Sequence, residues 1–118
     1  MKKIWLSSPH MGGTEQSYVN KAFAENWVAP LGPNVNGFER DIQQFSAVAH
    51  AAALNSGTGA IHIALDILGV GKGDFVLVQS FTFCASVNPI EYLGGTPVFI
   101  DSEKDSWNMC PKALEEII

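Results

Sequence analysis

The sequence predicts an α/β domain built on a mostly parallel sheet. Three observations predict it. From Val48 onward, short apolar runs alternate with helical patterns in the order βαβαβα, with crossovers of suitable length. The first run, Val48 to Leu54, is apolar without alternation except for His50, as a strand covered on both faces would be. Between that run and the next helical pattern stands a Gly-rich turn, Asn55-Ser56-Gly57-Thr58-Gly59. Turns at the carboxyl ends of such strands are where α/β sheets bind ligands.

Composition agrees with one domain of ordinary size. Of the 118 residues 47% are hydrophobic and 16% charged, which describes a chain that packs a modest core. The net charge of -5, with Lys and Arg scattered, argues against nucleic-acid binding. No apolar run approaches the roughly 20 residues of a membrane span. The N-terminal Met1 to Leu6 is charged and then apolar, but stops at Ser7-Ser8-Pro9, too short for a signal peptide. Cys84 and Cys110 lie far apart with no metal-ligand spacing, which fits reduced thiols in a cytoplasmic protein and no metal.

In chain order, Ser7 to Gly13 reads as a loop, since Pro9, Gly12 and Gly13 break regular structure. Thr14 is a good N-cap, and Val19, Ala22, Phe23 and Trp27 follow at helical spacing, so a helix is predicted from about Thr14 to Asn26. Ala29-Pro30-Leu31-Gly32-Pro33 is apolar yet irregular, either a rigid linker or a loop lining a pocket. Asn34 or Asn36 is expected to cap a second helix with Val35, Phe38, Ile42 and Phe45 on one face. Glu39, Arg40 and Asp41 then read as solvated surface.

After the strand at Val48 to Leu54, a helix is predicted from about Thr58 to Leu68, with Ile61, Ala64, Leu65 and Leu68 on its buried side. His50 and His62 read as satisfied structural histidines. Gly69 to Asp74 ends the helix, and Phe75 to Val78 forms a second strand. Cys84 to Leu93 reads as a helix that Pro89 either kinks or delays. Val98 to Ile100 forms a third strand ending in Asp101. Ser102 to Met109 is a loop, and Lys112 to Ile118 a last helix behind Pro111.

The chemistry is expected at the strand ends, where Ser56 to Gly59, Ser80 to Phe83 and Asp101 cluster in such a topology. Free backbone N–H groups and the positive end of a helix make an anion site, and Ser56 and Thr58 add hydroxyls. An ordinary Ser- or Thr-capped turn explains the same residues as well. Phe83 either stacks on a planar ligand or is a core aromatic. No P-loop, no Gly-x-Gly-x-x-Gly and no Gly-x-Ser-x-Gly is present.

Taken together these stretches resemble the DegT/DnrJ/EryC1/StrS family of pyridoxal-phosphate-dependent sugar aminotransferases. Asn55 to Leu65 looks like its phosphate-binding turn and helix. Leu6 to Pro9 with Glu15, Leu31-Gly32-Pro33 with Phe38-Glu39, Gly69 to Asp74, and Phe81 to Ser86 through Gly95 to Asp101 match in the same order. Ser8 to Gly13 and Ala29 to Gly32 look closest to transaminases of the bacillosamine type. Those convert a UDP-linked 4-keto-6-deoxy-N-acetylhexosamine with glutamate as amino donor.

The resemblance implies the N-terminal part of a fold type I large domain, a three-layer α/β/α structure that is incomplete here. Residues 1–47 would form an N-terminal loop and helices, and 48–118 the first βαβαβα part of the cofactor-binding domain. It implies pyridoxal 5'-phosphate as cofactor. Ser56, Gly57, Thr58 and Gly59 would hold its phosphate, and Phe83 would stack on its ring. Ala29, Pro30 and Leu31 would face the nucleotide sugar, and the family implies a homodimer. The family's cofactor-binding lysine and ring-nitrogen aspartate follow the segment matching Leu114 to Ile118, so the chain carries no catalytic residue and is expected to be inactive alone. A truncated homologue serving as a binding or oligomerisation module, or a related sugar dehydratase, would carry the same turn. In this fold the strand before the turn is flanked by strands from later sequence. Val48 to Leu54 would therefore lack its neighbours, while Phe75 to Val78 and Val98 to Ile100 can pair.

Overall fold

A computed structural model describes residues 3–118. The chain divides into two compact units, Met1–Ala53 and Leu54–Ile118.

The first unit holds two helices, α1 (Glu15–Ala24) and α2 (Pro33–Ser46). Thr14 stands at the N-cap of α1, but its hydroxyl makes no capping bond. The loop ahead is tied instead by Glu15, whose carboxylate accepts the backbone N–H groups of Gly12 and Gly13. Helix α2 starts earlier than Asn34 or Asn36 would set it. Gly32 is its N-cap and Pro33 its first residue, where a fixed φ and a missing N–H cost nothing. Gly32 has φ 151°, and a Cβ there would lie 1.6 Å from Trp27 Nε1. The Trp27 indole N–H donates to the Leu31 carbonyl in the same turn. Only glycine fits that backbone.

Val48 to Leu54 does not form the expected strand. Among the described residues it enters no ladder. A strand covered on both faces is made by its neighbours, and nothing in the described chain supplies one. One of its N–H groups is met by a side chain, since Glu39 Oε1 accepts the Ala53 N–H at 2.8 Å. Glu39 is half-buried, which corrects its assignment to a solvated surface. The apolar face expected on α2 is present but largely uncovered, with Phe38 and Phe45 exposed.

The second unit opens with α3 (Gly57–Ile67) and continues through β1 (Phe75–Gln79), a 3-10 turn (Cys84–Ser86), α4 (Asn88–Tyr92), β2 (Thr96–Ile100) and α5 (Pro111–Glu115). The two strands pair in parallel, from Phe75 opposite Thr96 to Gln79 opposite Ile100, as expected. Pro89 delays its helix. It sits in the first turn of α4, and the residues before it form the separate 3-10 turn. A proline ring clashes with the carbonyl four residues back, here that of Ala85, so one continuous helix is excluded.

Val78, Ile90 and Ile100 form the buried apolar core, with Pro89 and Gly95 beside them. A Cβ on Gly95 would come within 3.1 Å of Val70 Cγ1 and 3.2 Å of Ile90 Cγ2. Helix α3 packs on α4 and the 3-10 turn, where the half-buried His62 ring meets Tyr92 edge-on at 5.6 Å. Its expected buried side is only partly covered. Ile61 and Leu65 are half-buried, whereas Ala64 and Leu68 are exposed.

Candidate functional site

The Gly-rich turn forms a helix start of well-defined geometry. Ser56 is extended, φ -159° and ψ 154°, as an N-cap requires. From there its Oγ accepts the Gly59 N–H at 3.1 Å, and its carbonyl accepts the Ala60 N–H at 3.1 Å. The first bond satisfies one of the donors that a helix start leaves without a ladder partner, and the second begins the helix ladder. The N–H groups of Gly57 and Thr58 donate to no acceptor among the described residues. A Cβ built on Gly57 meets nothing within 4 Å, so the space beside those donors is open. No acidic residue lies in the first turn of α3 to repel an anion.

Two free backbone donors therefore stand at the positive end of an 11-residue helix, with open space beside Gly57. That donor set suits a phosphate monoester, whose oxygens are acceptors only. It does not suit a metal ion, and no group of three His, Cys, Asp or Glu stands together among the described residues. Cys84 and Cys110 are free thiols.

Phe83 immediately precedes the 3-10 turn that packs on α3. Thr82 Oγ1 and Ser86 Oγ lie 3.0 Å apart across that turn and fix its course. Phe83 is 77% exposed among the described residues. It is a free apolar surface on the element next to α3.

Ser80, Phe81 and Asp101 do come together at the carboxyl ends of β1 and β2. With Ser102, Lys104 and Trp107 among their neighbours, they line an open cavity of about 340 Å³. Its walls are well held. The Ser80 N–H donates to the Ile100 carbonyl at 2.8 Å, Phe81 lies 5.3 Å from the Trp107 ring, and Gln79 Nε2 bonds Ser102 Oγ at 3.1 Å. Asp101 is spent on structure. Its Oδ1 accepts the Ser102 N–H and its carbonyl the Cys110 N–H, each at 2.8 Å. Trp107 was not legible as part of this cavity, because nothing in its spacing brings residue 107 beside residue 81.

In the first unit, Ala29 and Leu31 line a cavity of about 290 Å³ with Phe23, Trp27 and Val35. Of the two readings of the Ala29 to Pro33 stretch, the pocket-lining loop is the one that matches this geometry.

Comparison with known proteins follows the same lines. The model of the DegT/DnrJ/EryC1/StrS aminotransferase family matches residues 9–118. A protein of Bacillus subtilis (strain 168) named as a pyridoxal phosphate-dependent aminotransferase, EpsN, is 57% identical over 117 residues, 99% of this chain and 30% of that protein. GDP-perosamine synthase of Escherichia coli O157:H7 is 37% identical over 118 residues, all of this chain and 32% of that one. Among solved structures, the sugar aminotransferase Spr1654 from Streptococcus pneumoniae, in its PLP form, superposes with a TM-score of 0.88 at 32% identity. It is covered over 99% of this chain and 30% of its own. The chain thus spans about a third of the length of the relatives it matches.

Proposed function

The chain belongs to the DegT/DnrJ/EryC1/StrS aminotransferase family, and from that premise we propose that it provides the phosphate cradle and ring platform for pyridoxal 5'-phosphate in a sugar aminotransferase. The observation that carries this reading is the pair of free N–H groups at Gly57 and Thr58 beside the closed Ser56–Gly59 cap. Gly57 and Thr58 bind the phosphate, and the Thr58 hydroxyl adds a donor. Ser56 and Gly59 hold the turn in shape. Phe83 packs against the pyridine ring and keeps water from that face. When bound, the cofactor supplies the electron sink that amino transfer needs. No residue of this chain is assigned a proton-transfer role.

The finer reading is that the whole protein transfers an amino group from glutamate to a UDP-linked 4-keto-6-deoxy-N-acetylhexosamine and works as a homodimer. Ala29, Pro30 and Leu31 face the nucleotide sugar. Support comes from the stretches Ser8 to Gly13 and Ala29 to Gly32 and from the cavity that Ala29 and Leu31 line.

Pyridoxal phosphate titrated into the intact protein that carries this chain tests the first part. Binding in competition with inorganic phosphate is the expected result, and binding indifferent to phosphate would falsify the cradle. Incubation with glutamate and either UDP- or GDP-linked 4-keto sugars tests the second part. Formation of 2-oxoglutarate with the GDP sugar alone overturns the UDP assignment.

A further inference from the structure

We propose that Glu39 is a positioning residue for the phosphate turn, acting through the backbone of Ala53. The proposal rests on the phosphate reading of that turn. Glu39 Oε1 accepts the Ala53 N–H at 2.8 Å, and both belong to the first unit. Ala53 lies in the segment Val48 to Leu54, which enters no ladder among the described residues. A backbone N–H at a partly buried position needs an acceptor, and Glu39 supplies one. Glu39 is carried by the 14-residue α2, a rigid support. Its side chain gives up solvent to make this one bond.

The placement along the chain is what gives the bond a functional meaning. Only Leu54 and Asn55 separate Ala53 from Ser56. Ser56 must stay extended for its Oγ to reach Gly59, and that cap leaves the Gly57 and Thr58 donors aimed outward. A fixed Ala53 leaves two residues of slack before the cap. With the Glu39 bond removed, the segment ahead of the cap loses this tether, and part of its ordering falls at the moment the anion binds. Ordering at the moment of binding lowers affinity.

The test uses the intact protein that carries this chain, inorganic phosphate as the probe, and amide exchange measured without any ligand. Glu39→Met removes the acceptor at similar length, and Glu39→Gln keeps an oxygen in its place. Glu39→Met is expected to raise the phosphate Kd about tenfold and to speed exchange at Ala53 and Gly59, with Glu39→Gln close to the parent on both. Unchanged Gly59 exchange and unchanged affinity in Glu39→Met overturn the proposal. So does an equal loss in Glu39→Gln, which would make charge rather than the acceptor responsible. If Glu39→Met does not fold, Glu39→Ala is read by the same two measurements. If the parent protein binds no phosphate, the cofactor reading fails, and the ligand-free Gly59 exchange still decides the role of Glu39.

Discussion

Ser56 Oγ and the Gly59 N–H are joined at 3.1 Å, and this bond satisfies the third N–H of α3 while those of Gly57 and Thr58 stay free among the described residues. It makes the turn both a helix cap and an anion site. Substitutions at Ser56 can divide the two roles. Ser56→Ala removes the cap and costs about 1 kcal/mol of stability, with phosphate affinity falling as the turn loosens. Ser56→Asp keeps a capping acceptor and favours the helix dipole, yet places negative charge where phosphate binds. Thermal unfolding is expected to rank Ser56→Asp at or above Ser56→Ala, and phosphate titration to rank it lowest.

The two flanking glycines are expected to respond in opposite ways. An added Cβ on Gly59 would lie 3.2 Å from Ser56 Oγ and 3.6 Å from Asn55 Oδ1, so Gly59→Ala pushes on the cap itself. An added Cβ on Gly57 meets nothing within 4 Å. Gly57→Ala leaves the ligand-free protein as stable as before or slightly more so, because alanine is the better helix former. It still weakens phosphate binding, since its methyl stands beside a free donor. A Gly57→Ala protein that binds phosphate at full strength argues against this cradle.

The turn was legible in the sequence because its causes are local. A capping serine, two glycines and a helical apolar pattern lie within eleven residues, and the cap formed where they point. Strands β1 and β2 were legible as short apolar runs between turn residues, and their pairing was expected from the fold the chain resembles. Val48 to Leu54 reads as a strand from its apolar run, and its lack of a ladder agrees with the resemblance, which implies that the neighbouring strands come from later sequence. Glu39 was misread. Helical period placed it off the apolar face, but its partner Ala53 lies 14 residues away on a segment of unknown course. The one signal that marked it was its place in the matched Phe38-Glu39 stretch.

Gly32 has no tolerated replacement. Its φ of 151° already disfavours an L side chain, and a Cβ would overlap Trp27 Nε1. Gly32→Ala is expected to destabilise the first unit by about 2–4 kcal/mol from overpacking and backbone strain together. The Trp27 indole must leave the Leu31 carbonyl, so its fluorescence should shift toward that of a solvated indole. An unshifted spectrum with a native unfolding midpoint contradicts this.

Glu15 gives the loop ahead of α1 a pH dependence. Its own backbone N–H and those of Gly12 and Gly13 hold its carboxyl below the ordinary carboxylate value. A depressed folded pKa means that the stabilisation is complete above the unfolded value and fades as pH falls through the folded one. The Gly12 and Gly13 amide resonances are therefore expected to stay fixed down to about pH 4.5, the ordinary value, and to move together below it. Glu15→Gln should abolish that step. A step that survives in Glu15→Gln assigns the titration to another group.

Phe83 offers the sharpest separation of ring binding from phosphate binding. The side chain is 77% exposed, so Phe83→Ala removes few contacts in the ligand-free protein and is expected to change stability by less than about 0.5 kcal/mol. Inorganic phosphate touches only the turn, and its affinity should be unchanged. Pyridoxal phosphate also presents a planar ring, and losing an aromatic partner of that kind costs roughly 0.5–1.5 kcal/mol, or about twofold to twelvefold in Kd. Phe83→Tyr keeps the ring and should bind pyridoxal phosphate like the parent. Equal weakening of both ligands in Phe83→Ala would instead place Phe83 among the residues that shape the turn. Equal affinity for both, in parent and variant alike, would leave the ring without a platform on this chain.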